Sequence, residues 1–213
     1  IYDCFPNQYP KYIFYLEKYI NQYPDQFVDI ISHYSIGIHP WYIKECWKEE
    51  LNIIEKKLQQ KNCLALGECG LDKRIEIDFE LQKQVFIAQI KLAEKHQKPI
   101  IVHCVAAFQE VIEIKKKEKI TVPMVIHGFS KNWQTAKQLL ENDFYLSFGK
   151  YLLKNPDLKQ VFEQVPNDKF FLETDTIEDT IQQVYKVATS YKRTTLFELQ
   201  NQIETNFKLV FKL

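Results

Sequence analysis

The chain has 213 residues, 46% hydrophobic and 26% charged, with 28 lysines and arginines set against 28 aspartates and glutamates. A chain of this length can bury about 70% of its unfolded surface, enough for a real core. Its formal charge of zero gives no global pull toward nucleic acid or an anionic membrane, so any such contact needs a local patch.

In chain order, IYD (1–3) predicts a first strand and QFVDII (26–31) a weak second one. The short apolar runs YSIGI (34–38), CLALGE (63–68), IIVHC (100–104), MVIHG (124–128), FYLSF (144–148) and FFLET (170–174) predict six more. They are continuously apolar rather than alternating, as in strands covered on both faces of a parallel sheet. Amphipathic stretches at 43–61, 78–97, 107–119, 131–142, 156–164, 177–190 and 195–210 predict the helices between and after them. Strand and helix in alternation define an α/β class, and eight strands close naturally into a TIM-type (β/α) barrel. At this length the barrel is a short one, with strand 2 incomplete or distorted; an open doubly wound sheet is the structural alternative. There is no Gly/Ser linker and no repeat, so a single domain over 1–213 is expected. The five cysteines form no CxxC pair, which fits reduced thiols. No stretch resembles a signal peptide, and no apolar run approaches the roughly 18 residues of a membrane span. A cytoplasmic, monomeric protein without membrane contact is the expectation.

The polar residues at the strand ends carry the chemistry. Glu68 ends CLALGE, His103 ends IIVH, His127 ends MVIH, and Asp175 follows FFLET. In a parallel barrel the C-terminal strand ends meet on one face. One such histidine or acid is more often a satisfied core group or a helix cap. Two imidazoles and two carboxylates at four strand ends instead match the donor set of a divalent cation, such as zinc, manganese or magnesium. Burying these charges without a cation would cost several kcal/mol each, as an order of magnitude.

At these residues the sequence resembles the TatD family of metal-dependent hydrolases. The matching stretches are GIHPW (37–41), ALGECGLD (65–72), QKQVF (82–86), IIVHC (100–104), HGFS (127–130), LETD (172–175) and NFKLVF (206–211). The resemblance implies a barrel with a one- or two-metal centre that hydrolyses phosphodiesters, DNA above all. It places Glu68, His103, His127 and Asp175 around the ions, with Asp175 as the general base on the attacking water. It sets His39 at the mouth, orienting substrate phosphate or a ligand. Members of the family usually carry H-x-H on the first strand, where residues two apart share a face. Here IYDCFPN puts Phe5 and Asn7 at those positions. One site (Glu68, His103, His127) is thereby intact, and the other keeps only Glu68 and Asp175. Many relatives also have an arginine two residues beyond the strand histidine, where this chain has Val105.

Three functions stay open: a one-metal phosphate-ester hydrolase, a degenerate member acting as a non-catalytic binding or scaffold protein, and hydrolysis of a carboxylic ester or amide by the same centre. Among the remaining features, KKKEK (115–119) reads as a solvated helix end. Core packing is the default for Trp41, Tyr42 and Trp47, with base stacking as the alternative. Cys69 and Cys104 read as small apolar filler, and Asp72 as the residue that pins the loop after Glu68.

Overall fold

The short apolar runs fold as parallel strands, and the amphipathic stretches between them fold as helices, because a parallel connection needs a crossover long enough for a helix. The computed structural model describes residues 2–4, 33–174 and 180–212. By internal packing the chain divides into two units, Ile1–Val122 and Pro123–Leu213.

In the first unit, β1 (Tyr2–Cys4), β2 (Tyr34–Ile36), β3 (Cys63–Asp72) and β4 (Ile100–Val105) each lie parallel to the next. Among the described residues three helices accompany them: α1 (Trp47–Leu58), α2 (Phe79–His96) and α3 (Phe108–Lys117). Helix α1 buries Glu50, Ile54 and Leu58, a spacing of four that keeps one face inward. Helix α2 is started by Asp78, whose carboxylate accepts the Leu81 N–H at 2.8 Å, an N-cap worth about 1 kcal/mol. It ends at Gln97, in the left-handed conformation. Its buried face holds Val85, Phe86, Ile90 and Ala93 together with two glutamines, Gln82 and Gln89. KKKEK supplies the basic last turn of α3, where cations complement the helix dipole.

In the second unit, β5 (Met124–Ile126), β6 (Phe144–Phe148) and β7 (Phe170–Leu172) are again parallel neighbours. The helices are α4 (Trp133–Leu140), α5 (Lys150–Lys154), α6 (Leu158–Gln164), α7 (Ile181–Lys192) and α8 (Leu196–Phe211). Phe148, Phe162 and Phe170 are fully buried and meet edge to face, with ring centroids 4.9 and 4.8 Å apart. Each such side chain contributes about 1.5–3 kcal/mol on burial. Helices α7 and α8 both open with capping boxes, Thr180 with Gln183 and Thr195 with Glu198.

Seven of the eight expected strands are present among the described residues; the run at 26–31 lies outside them. One boundary differs in a way that matters. Strand β3 continues past Glu68 to Asp72, so Glu68 does not end it. Leu66 pairs with Ile100 and Cys69 with Val102, so three steps on β3 run against two on β4. The extra residue is a β-bulge, which bends a strand and re-aims a side chain. Beyond the bulge, Gly70 pairs with His103. Its φ is +152°, and a Cβ there would stand 1.9 Å from the His103 carbonyl oxygen. Only glycine fits that approach.

Candidate metal centre

Glu68 therefore projects from a bulge between two glycines, beside the segment that leaves β2. That segment is held by α2. The Gln89 side chain accepts the Ile38 N–H at 2.6 Å and donates to the Ile38 carbonyl at 3.1 Å, acting as a substitute strand for one residue. The next residue is His39. It caps the short 3-10 turn Pro40–Tyr42, its Nδ1 accepting the Trp41 N–H at 3.2 Å. With Nδ1 used as an acceptor, the proton of the neutral ring sits on Nε2. That nitrogen faces Glu68 Oε2 at 3.5 Å.

His103, on β4, completes the group, its ring centroid 4.3 Å from that of His39. One donor atom from each of His39, Glu68 and His103 lies within 4.8 Å of the others. Ligands of a single zinc-sized ion, at about 2.0–2.2 Å from it, stand at most about 4.4 Å apart. Arranged tetrahedrally they stand about 3.3–3.6 Å apart, so the set would close in by up to about 1.5 Å around an ion. Two imidazoles and a carboxylate are also the right chemistry for zinc or manganese.

Behind this group sits Asp72, also buried. Its Oδ2 lies 3.4 Å from His103 Nε2 and accepts the Trp41 indole N–H at 2.8 Å, while Oδ1 accepts the Arg74 backbone N–H at 2.8 Å. Burial works to raise the carboxyl pKa. The hydrogen bonds from Trp41, Arg74 and His103 outweigh it and hold the group below its ordinary value. Asp72 thus pins the loop after β3, and it also aligns His103 and Trp41. Cys69 and Cys104 are buried beside these residues as filler. Core packing does not hold for Trp41 and Tyr42, which are 52% and 46% exposed.

The second unit holds its own pair. His127 follows β5, and its Nδ1 lies 3.5 Å from Glu173 Oε1. Glu173 is fixed by the Gly128 N–H at 2.7 Å and by the Ser147 hydroxyl. Sequence reasoning did not single out Glu173, although it stands in the LETD stretch. Asp175, Phe5 and Asn7 lie outside the described residues. His96 Nε2 lies 3.5 Å from Glu55 Oε1.

Parallel strands with crossover helices, and an imidazole–carboxylate cluster beside β2, β3 and β4, define an α/β protein with a candidate cation site. The chain belongs to the TatD family: the family profile of the TatD related DNases matches residues 17–212. A protein of Bacillus subtilis strain 168 named uncharacterized metal-dependent hydrolase YabD is 34% identical over 145 residues, 66% of this chain and 57% of its own length. A protein of Erwinia tasmaniensis named 3'-5' ssDNA/RNA exonuclease TatD is 28% identical over 147 residues, 66% of this chain and 56% of its own. The chain thus matches little more than half the length of these curated relatives. Among solved structures, the TatD homologue YJJV of Escherichia coli K12 superposes with a TM-score of 0.76 at 20% identity, over 92% of this chain and 82% of that one. The α/β fold is therefore of the TIM-barrel-like type found in TatD proteins. No helix among the described residues is long and apolar enough to cross a membrane.

Proposed function

We propose that this chain carries a one-metal centre that hydrolyses phosphodiesters of nucleic acid. The observation that carries the reading is the convergence of Glu68 and His103 donor atoms, with His39 holding the Glu68 carboxylate beside them, all within 4.8 Å of one another. Membership of the TatD family supports the reaction class, and the name borne by the Erwinia relative supports single-stranded nucleic acid as the substrate.

Glu68 and His103 are the ligands of this proposal; His127 is a ligand by the family resemblance of its HGFS stretch alone. His39 is assigned a different task, because its Nδ1 is already spent on the Trp41 N–H. Its Nε2–H faces Glu68, so it holds that carboxylate in place. Asp72 orients His103 from behind, the role that outer carboxylates commonly play for metal-bound imidazoles. Asp175, by its place in LETD, takes the proton from the attacking water. When bound, a divalent cation supplies Lewis-acid charge to the phosphoryl oxygens and lowers the pKa of a bound water toward about 7.

The test is elemental analysis of protein reconstituted with zinc or manganese and then desalted, paired with hydrolysis of a single-stranded oligonucleotide. About one ion per chain, lost in Glu68→Ala and in His103→Ala, together with metal-dependent cleavage, is the expected result. An ion retained without cleavage would favour the non-catalytic binding reading, to which Phe5 in place of a first-strand histidine points. Absence of any retained ion, with or without substrate present, would overturn the metal centre itself.

A further inference from the structure

Trp41 and Tyr42 are adjacent, lie beside the metal cluster, and leave about half of their surface in solvent. Large aromatic side chains are usually well buried, since each carries a large hydrophobic area. The exposure of two in a row at this place calls for a partner. Nor are they loosely placed. The Trp41 indole N–H is donated to Asp72 at 2.8 Å. The ring stands edge to face against His39 and His103, with centroids 5.2 and 5.8 Å away. The Tyr42 ring lies 5.7 Å from that of His39. The short turn that carries both is fixed by Pro40 and by the His39 cap.

A held indole whose only polar atom is already bonded can offer a ligand just one thing, its π-face. Such a surface recognises flat, unsaturated rings without reading their hydrogen-bonding edges. That is how single-stranded nucleic acids are bound with little sequence preference. We infer that Trp41 and Tyr42 form a stacking subsite for a nucleobase of the strand whose phosphate is bound at the His39–Glu68–His103 cluster. This rests on the phosphodiesterase reading for the phosphate, but the stacking step itself requires no hydrolysis. The subsite selects single-stranded substrate, because a paired and stacked base cannot present its face to a protein ring.

The experiment is equilibrium binding of a short fluorescein-labelled single-stranded DNA by the metal-reconstituted chain. It is repeated with the same strand carrying abasic residues, and with Trp41→Ala, Trp41→Phe and Tyr42→Ala. Stacking predicts that the normal strand binds about tenfold more tightly than the abasic one, the order of one stacked base. Trp41→Ala should lose that preference. Trp41→Phe, which keeps a ring but not the N–H donated to Asp72, should retain most of it. Tyr42→Ala should show a smaller loss. Equal affinity of the wild-type chain for both strands would overturn the subsite, as would a preference that survives in Trp41→Ala. If Trp41→Phe lost as much as Trp41→Ala, the residue would be acting through Asp72 and stacking would be refuted. Base-dependent binding without cleavage would leave the subsite standing and sink the hydrolase reading, so the two failures are distinguishable.

Discussion

Gln82 grips Asp72 by both of its backbone polar groups, accepting the N–H at 2.8 Å and donating to the carbonyl at 3.0 Å, with a further bond to the Ile77 carbonyl at 2.8 Å. One turn pair further along α2, Gln89 does the same to Ile38. Two buried amides on one helix face therefore position the end of β3 and the entry to His39. Removing one leaves backbone groups dry and unpaired, at about 1–3 kcal/mol each. Gln82→Ala is expected to lower stability by about 3 kcal/mol, read from urea denaturation. Zinc affinity should fall with it, since Asp72 backs His103. A fall below about 1 kcal/mol would mean that the backbone finds other partners and that the grip is dispensable.

Glu173 relates to His127 as Asp72 does to His103. In each unit a carboxylate fixed by other donors faces an imidazole nitrogen at 3.4–3.5 Å. Such a contact selects the tautomer that leaves the opposite nitrogen as a ligand. Outer partners of this kind are commonly worth about 10–100-fold in metal affinity. Glu173→Ala should weaken zinc binding by that order in a calorimetric titration, and Ser147→Ala by less, because the Gly128 N–H still holds the carboxylate. Unchanged affinity in Glu173→Ala would separate Glu173 from any role at His127.

The strand framework was legible because burial on both faces leaves unbroken apolar runs: FYLSF was expected over 144–148 and forms β6 over those residues. Helix α2 was expected over 78–97 and spans Phe79–His96, its start marked by a capping aspartate. What escaped depends on partners distant in sequence. The bulge at Glu68 exists only relative to the register of β4, so CLALGE alone reads as a strand ending at its acid. Gln82 and Gln89 look like surface residues until the strand ends that they bond are in place. Helix α5 has five residues, too few for a periodic pattern to show. Trp41 and Tyr42 were assigned to packing by habit of residue type, and local geometry overrode that default.

Lys192 supplies a pH dependence that is independent of the metal centre. Its ammonium lies over Phe162 and Phe170, 5.0 Å from each centroid, and donates to the Val165 carbonyl. Burial lowers its pKa from 10.5 to about 8, with the Glu163 charge opposing the shift. Below about pH 8 both folded and unfolded chains keep this proton, and the folded state bears the cost of the buried charge. Between about 8 and 10.5 the folded chain has lost a proton that the unfolded chain retains, so stability rises with pH. Lys192→Met should remove that rise, seen as a flatter plot of urea midpoint from pH 7.5 to 10. Parallel curves for the two proteins would show that the ammonium remains solvated.

His39 offers the sharpest separation between a ligand and a residue that holds one. Its Nδ1 accepts the Trp41 N–H and its Nε2 faces Glu68. To bind zinc through Nε2 the ring would have to move its proton to Nδ1, opposing two N–H groups head to head and breaking the cap of the Pro40–Tyr42 turn. Binding through Nδ1 would break the same cap directly. Both routes lose a hydrogen bond of about 1 kcal/mol and strand a buried donor. The cheaper arrangement keeps Nε2–H on Glu68 and leaves the ion to Glu68 and His103. Nitrogen-15 NMR should therefore show His39 protonated at Nε2 both without zinc and with it, while the His103 ring resonances move on addition of the ion. In the same series His39→Ala should cost about tenfold in zinc affinity, the scale of an outer partner, against loss of retention in His103→Ala. Equal losses, or a His39 resonance that shifts with zinc as that of His103 does, would make His39 a ligand and return the three-residue set to a single coordination shell.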